Sequence, residues 1–84
     1  MKIFSASNTN NSASLIVADT DNKAKEIGLN VRLARKADNI KLKDITAEYI
    51  ASHGPSGFDL ETLEEGVLVQ RISGNKSTWE TFIH

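Results

Sequence analysis

The stretch GLNVRLARKADNIKLKDI, residues 28–45, decides the fold of this chain. Its second half, Ile40-Lys41-Leu42-Lys43-Asp44-Ile45, alternates apolar and charged residues with the period of a half-buried strand. Ile40 and Leu42 share one face, and Lys41 and Lys43 share the other. The first half reads two ways. Ala24, Ile27, Val31 and Ala34 recur on one helical face, which predicts a helix from near Asn22 that runs on through VRLARKA and closes at Asn39. Leu29 and Leu33 fall outside that stripe, so such a helix is covered on two sides or ends early. In the second reading the helix stops at Gly28. Residues 31–35 then form a strand that pairs with 40–45 across Lys36-Ala37-Asp38-Asn39. The long helix is the preferred reading of residues 29–37, and the hairpin strand stays open.

Working toward the N-terminus, Asp19-Thr20-Asp21-Asn22 offers several helix N-caps. Leu15-Ile16-Val17-Ala18 is a compact apolar run with β-branched residues and reads as a strand. Ser7–Ser14 is a polar turn in which Asn and Ser side chains compete for backbone hydrogen bonds. Residues 2–6 read as a strand antiparallel to 15–18.

Toward the C-terminus, Thr46–His53 reads as a short helix with Ala47, Ile50 and Ala51 inward, ended by Gly54-Pro55-Ser56-Gly57. Asp59 caps a further turn over residues 60–65. Residues 67–72 and 78–83 are strands joined by a hairpin loop at Gly74-Asn75-Lys76-Ser77. The expected fold is one α+β domain spanning residues 1–84. It is a small two-layer sandwich, with one main helix packed on an antiparallel or mixed sheet of about five strands, plus short helical turns.

Composition narrows the function. The chain has 84 residues, no cysteine and a net charge of −1. Disulfides, thiolate chemistry and cysteine-ligated metal centres are excluded. A polar N-terminal segment without an apolar run predicts no signal peptide, and no apolar stretch approaches a membrane span. With no cross-links, a cytoplasmic protein without a membrane partner is expected.

The charges are sorted along the chain. Residues 23–43 carry Lys23, Lys25, Arg32, Arg35, Lys36, Lys41 and Lys43 against Glu26 and Asp38, a balance of +5. Residues 44–66 carry Asp44, Glu48, Asp59, Glu61, Glu64 and Glu65 and no Lys or Arg, a balance of −6. Such segregation speaks about partners rather than fold.

Motifs for chemistry are sparse. His53 is the one candidate general base inside the chain, and Ser52 and Ser56 beside it in sequence do not make a triad. His84 is terminal. The acids lack calcium-loop spacing, and two separated histidines do not make a zinc site. None of the five glycines forms a phosphate-loop fingerprint, and Gly54-Pro55-Ser56-Gly57 reads as a turn. No metal, cofactor or catalytic residue is expected.

Two binding surfaces remain. Asp44, Glu48, Asp59, Glu61, Glu64 and Glu65, with Tyr49 and Phe58 as aromatic anchors, form an acidic face for a basic partner. Lys25, Arg32, Arg35, Lys36, Lys41 and Lys43 form a basic face that would neutralise phosphates, although without interleaved aromatics.

MKIFSAS, a polar loop and LIVADTDNKAKEIG, over residues 1–28, resemble the opening of small accessory proteins of bacteriophages and prophages, anti-CRISPR proteins among them. The resemblance implies a strand pair followed by a helix, and an inhibitor that binds a host protein or nucleoprotein complex without catalysis. The expected function is therefore a non-enzymatic binding protein. The alternatives are a nucleic-acid-binding module on the basic face and a small enzyme around His53. A homodimer that joins the basic block of one chain to the acidic block of another is a further expectation.

Overall fold

The computed structural model describes residues 1–54 and 58–82. In chain order the elements are β1 (Lys2–Ser7), β2 (Ala13–Ala18), α1 (Asp21–Asn30), a 3-10 turn (Ala37–Asn39), β3 (Lys41–Asp44), α2 (Thr46–His53), a 3-10 turn (Leu60–Thr62), β4 (Gly66–Ser73) and β5 (Lys76–Phe82). The five strands form one sheet in the order β3-β1-β2-β4-β5, antiparallel throughout. The α+β class, the main helix on a five-stranded sheet and the short helical turns are as the sequence predicts.

β1 and β2 lie at the centre and are buried on both faces. Phe4, Ala6, Ile16 and Ala18 face α1 and pack against Ala24, Ile27 and Ile40. Ile3 and Val17 face the other way, into a second cluster with Phe58, Leu68 and the partly buried Ile45, Tyr49, Leu60, Leu63 and Trp79. The sheet therefore has its main helix on one side and a smaller cover, α2 with the 58–63 segment, on the other. Two-sided burial explains why IF and LIVA are unbroken apolar runs while β3 and β5 alternate.

Residues 29–37 follow neither sequence reading. α1 starts at Thr20, whose Oγ1 accepts from Lys23 N at 3.2 Å, and ends at Asn30. Arg32 N donates to Leu29 O at 3.0 Å and Leu33 N to Gly28 O at 2.9 Å, with Arg32 at φ 60°. This paired bonding is the Schellman closure, with arginine in the left-handed position that glycine usually takes. The reversal folds Leu33 and Ala34 back onto the α1 cluster beside Leu29. The leucines that did not fit the helical stripe are thus half-buried against that cluster by an early stop. Gly28 belongs to the same arrangement. A methyl there would sit 2.9 Å from Ile40 Cδ1 and 3.8 Å from Ile16 Cδ1 and from Leu33 Cδ2.

The β1–β2 loop is organised by Asn8. Its Oδ1 accepts from Asn10 N and Ser12 N, and its Nδ2 donates to Leu33 O at 2.7 Å. One side chain therefore shapes the hairpin loop and holds the segment after α1.

The β4–β5 hairpin is longer than the sheet that supports it. β4 pairs with β2 only through Gly66 and Val67, and with β5 along Val67–Ser73. The molecule measures 38 Å along its longest axis and 22 and 21 Å along the others. The loop of the hairpin is the two residues Gly74-Asn75, with Gly74 at φ 62°, tighter than the predicted four-residue loop.

Candidate functional site

α2 is anchored at its first turn. Thr46 Oγ1 accepts from Ile3 N at 2.9 Å and donates to Asp44 Oδ1 at 2.6 Å, while Thr46 N donates to the same Oδ1 at 3.0 Å. The bonds from the Thr46 hydroxyl and amide hold the Asp44 carboxyl below its usual range, and Lys2 adds a smaller pull in the same direction. With Ile45 N donating to Ile3 O, the start of α2 is tied to β1 by backbone and side chain together.

That tie sets the rotation of the helix. Ile45, Tyr49 and His53, four apart, turn toward the sheet, whereas Ala47, Ile50 and Ala51 are exposed. The sequence expectation of Ala47, Ile50 and Ala51 inward is corrected. The rings of Tyr49 and His53 stack at 4.2 Å, and Phe58 meets both Tyr49 and Trp79 edge-on at 5.2 Å. Trp79 Nε1 donates to Tyr49 Oη at 3.1 Å. The aromatics form a structural cluster joining α2, the 58–63 segment and β5.

Phe58 is accordingly buried at 8 % exposure and is not available as a docking anchor, and Tyr49 is half-buried with its hydroxyl engaged. The exposed large apolar side chains described on this side are Ile50 and Met1. Ile50 lies between two hollows. One, about 520 Å³, is lined by Met1, Phe58, Leu60 and Leu63 with Asp59 and Glu61. The other, about 570 Å³, is lined by Thr46, Ala47, Asp44 and Glu48. Asp44, Glu48, Asp59 and Glu61 thus surround one apolar centre, and neither hollow is lined by Lys or Arg.

Two of these carboxylates also shape the backbone. Asp44 closes the turn into α2, and Asp59 Oδ1 accepts from Glu61 N at 3.0 Å, capping as predicted a turn that spans Leu60–Thr62 rather than 60–65. Glu64 is exposed but lines neither hollow. Glu65 is half-buried, with an Oε2 shielded from solvent that has no hydrogen-bond partner among the described residues.

The basic residues do not make one face. Cross-strand neighbours share a side of the sheet. Leu42, opposite Ala6, faces α1, so Lys41 and Lys43, opposite Ser7 and Ser5, face the other side. Arg32 and Arg35 line an open hollow of about 900 Å³ with Asn8, Thr9, Asn10, Leu29, Leu33 and Asn39. Lys25 is half-buried on α1 and Lys36 is exposed just before the Ala37–Asn39 turn. The one basic face expected from the sequence, a helix stripe with the outer face of the 40–45 strand, is corrected: α1 ends at Asn30, so Arg32, Arg35 and Lys36 lie beyond the helix.

His53 Nδ1 lies 3.2 Å from Tyr49 O. A carbonyl only accepts, so the contact is one in which an Nδ1–H donates to Tyr49 O. Its ring partners are Tyr49 and Trp79. Ser56 and His84 lie outside the described residues, as does the Gly54–Gly57 turn beyond Gly54. No group of three or more His, Asp or Glu that could hold a metal occurs among the described residues. No described helix is long and apolar enough to cross a membrane.

Ion pairs among the described residues join the Met1 amino group to Asp19, Lys23 to Glu26 and Arg71 to Glu80. None of these links the basic 23–43 block to the acidic 44–66 block.

The chain matches no protein-family model, no curated protein and no solved structure.

Proposed function

We propose that the protein is a non-enzymatic cytoplasmic binding protein, an inhibitor of the phage accessory type, that docks its acidic α2 side onto a basic surface of a host protein or nucleoprotein complex. The observation that carries this reading is the pair of hollows sharing Ile50, ringed by Asp44, Glu48, Asp59 and Glu61. An exposed apolar centre among four carboxylates has the anatomy of a protein interface, in which the apolar residue contributes affinity and the charges orient encounter. Asp44 and Asp59 are held by turns, so their charges are presented at fixed positions.

The test is a pull-down from host lysate at low and high salt, with nuclease treatment to remove nucleic acid, followed by kinetics on the captured partner. Glu48→Lys with Glu61→Lys is expected to slow association about tenfold at low salt, and Ile50→Ala to speed dissociation. Unchanged kinetics in both variants would remove the α2 side as the contact.

A second reading has one observation in its favour. Arg32 and Arg35 line the open hollow beside Asn8, Asn10 and Asn39, a mix of cations and amides able to hold phosphate and base edges. It predicts a gel shift with mixed DNA or RNA that Arg32→Gln with Arg35→Gln abolishes.

A further inference from the structure

The sheet has two outer strands, and their sequences treat self-pairing differently. β3 carries Lys41 and Lys43. A two-fold antiparallel pairing centred on residue 41, 42 or 43 puts lysine opposite lysine, a common protection of exposed edges. β5, KSTWETF, carries Lys76 and Glu80 four residues apart and has no proline. Its outer edge has no strand beside it among the described residues.

The hairpin determines which amides face outward. The two-residue loop makes Ser73 and Lys76 a hydrogen-bonded pair, so Thr78 and Glu80 also turn their backbone groups toward β4. Ser77, Trp79 and Thr81 turn theirs to the open edge. A second copy can pair only in registers that match outward residues with outward residues. One such register centres on Thr78. Ser77 then pairs with Trp79 of the second copy, giving roughly four main-chain bonds. Lys76 lies opposite Glu80 of the second copy at the closely spaced, non-hydrogen-bonded positions, twice by symmetry. Moving the centre to residue 77 or 79 loses both charge pairs.

Two further features fit this register, while the Arg71 Nε–Glu80 Oε2 pair at 3.3 Å, made from the β4 side, leaves the other carboxylate oxygen for the second copy's Lys76. Phe82, 40 % exposed, comes opposite Gly74 of the second copy, around whose missing side chain nothing lies within 4 Å. Ile72, at 73 % the most exposed large apolar residue described, shares a row with its neighbour Ser77 and the second copy's Trp79.

We propose that β5 is a self-association edge: two copies pair β5 to β5, antiparallel about a two-fold axis at Thr78, with Lys76 of each chain opposite Glu80 of the other. The pairing joins two five-stranded sheets into one of ten and leaves both α2 sides free. It differs from a dimer that joins basic and acidic blocks, because the 23–66 region takes no part.

Sedimentation equilibrium of the full chain over a wide concentration range tests this. The wild type is expected to form a concentration-dependent dimer that weakens with salt. Lys76→Glu and Glu80→Lys should each weaken it about tenfold, by replacing two attractive pairs with two repulsive ones. An equimolar mixture of the two variants should regain wild-type affinity as a heterodimer, since both its 76–80 pairs are then opposite in sign. That recovery also shows that the variants are folded. A wild type that stays monomeric throughout, a dimer indifferent to both variants, or a mixture that fails to recover would each overturn the proposal.

Discussion

Arg32 holds a left-handed conformation at φ 60°, which costs a residue with a Cβ about 1 kcal/mol or more. It is kept there by the bonds closing α1, from Arg32 N to Leu29 O and from Leu33 N to Gly28 O. Arg32→Gly is therefore expected to stabilise the protein by about 1 kcal/mol, seen in urea as a higher midpoint at unchanged slope. Asp44 shows the reverse case of a side chain suited to its place. Its carboxyl is held below its ordinary 3.8 by the Thr46 bonds. A lowered folded value means the carboxylate stabilises the fold fully above 3.8 and ceases to as pH falls through the folded value. The stability gap between wild type and Asp44→Asn should thus be flat near neutrality and close below about pH 4. Parallel acid titrations followed by circular dichroism check this.

At the scale of elements, α2 shows how a short helix is oriented by what it is tied to. Eight residues with apolar side chains on several sides do not define one stripe by periodicity. Thr46 bonded to Ile3, and Tyr49 bonded to Trp79, select Ile45, Tyr49 and His53 as the inward row and leave Ile50 outside. Phe58 sits at the centre of this assembly, against Tyr49 and Trp79. Phe58→Ala is expected to cost about 3–5 kcal/mol and to weaken the near-ultraviolet signal of Trp79. A surface anchor would instead lose partner binding with the fold intact. Denaturation melts separate the two. Strand identity was legible because β1, β2 and β3 carry two-sided or alternating apolar patterns. The end of α1 was not, because no glycine or proline marks residue 32; the offset leucines Leu29 and Leu33 were the available signal.

Over the whole molecule, the acidic residues of α2 and the 58–63 segment stay together while the basic block is divided. The ion pairs among the described residues leave the two blocks unconnected, so none of the carboxylates around Ile50 is bonded to a cation of the 23–43 block. Their effect on encounter should extend about 10 Å at 0.1 M salt and fade as salt rises. Association with a basic partner is expected to slow steeply with ionic strength, and Glu48→Lys with Glu61→Lys to flatten that slope. Stopped-flow measurements at several salt concentrations check it.

The α+β class, the five strands, the cap at Asp59 and the sorting of charge along the chain were all legible without coordinates. Each of these is a local property, carried by residues a few positions apart. Tertiary structure decided which side of each element faces out. It buried Phe58, exposed Ile50, put Lys41 and Lys43 across the sheet from α1, and gathered Asp44, Glu48, Asp59 and Glu61 around one apolar residue. Those outcomes depend on contacts between residues far apart in the chain, such as Ile3 with Thr46 and Tyr49 with Trp79, and local periodicity holds no record of them.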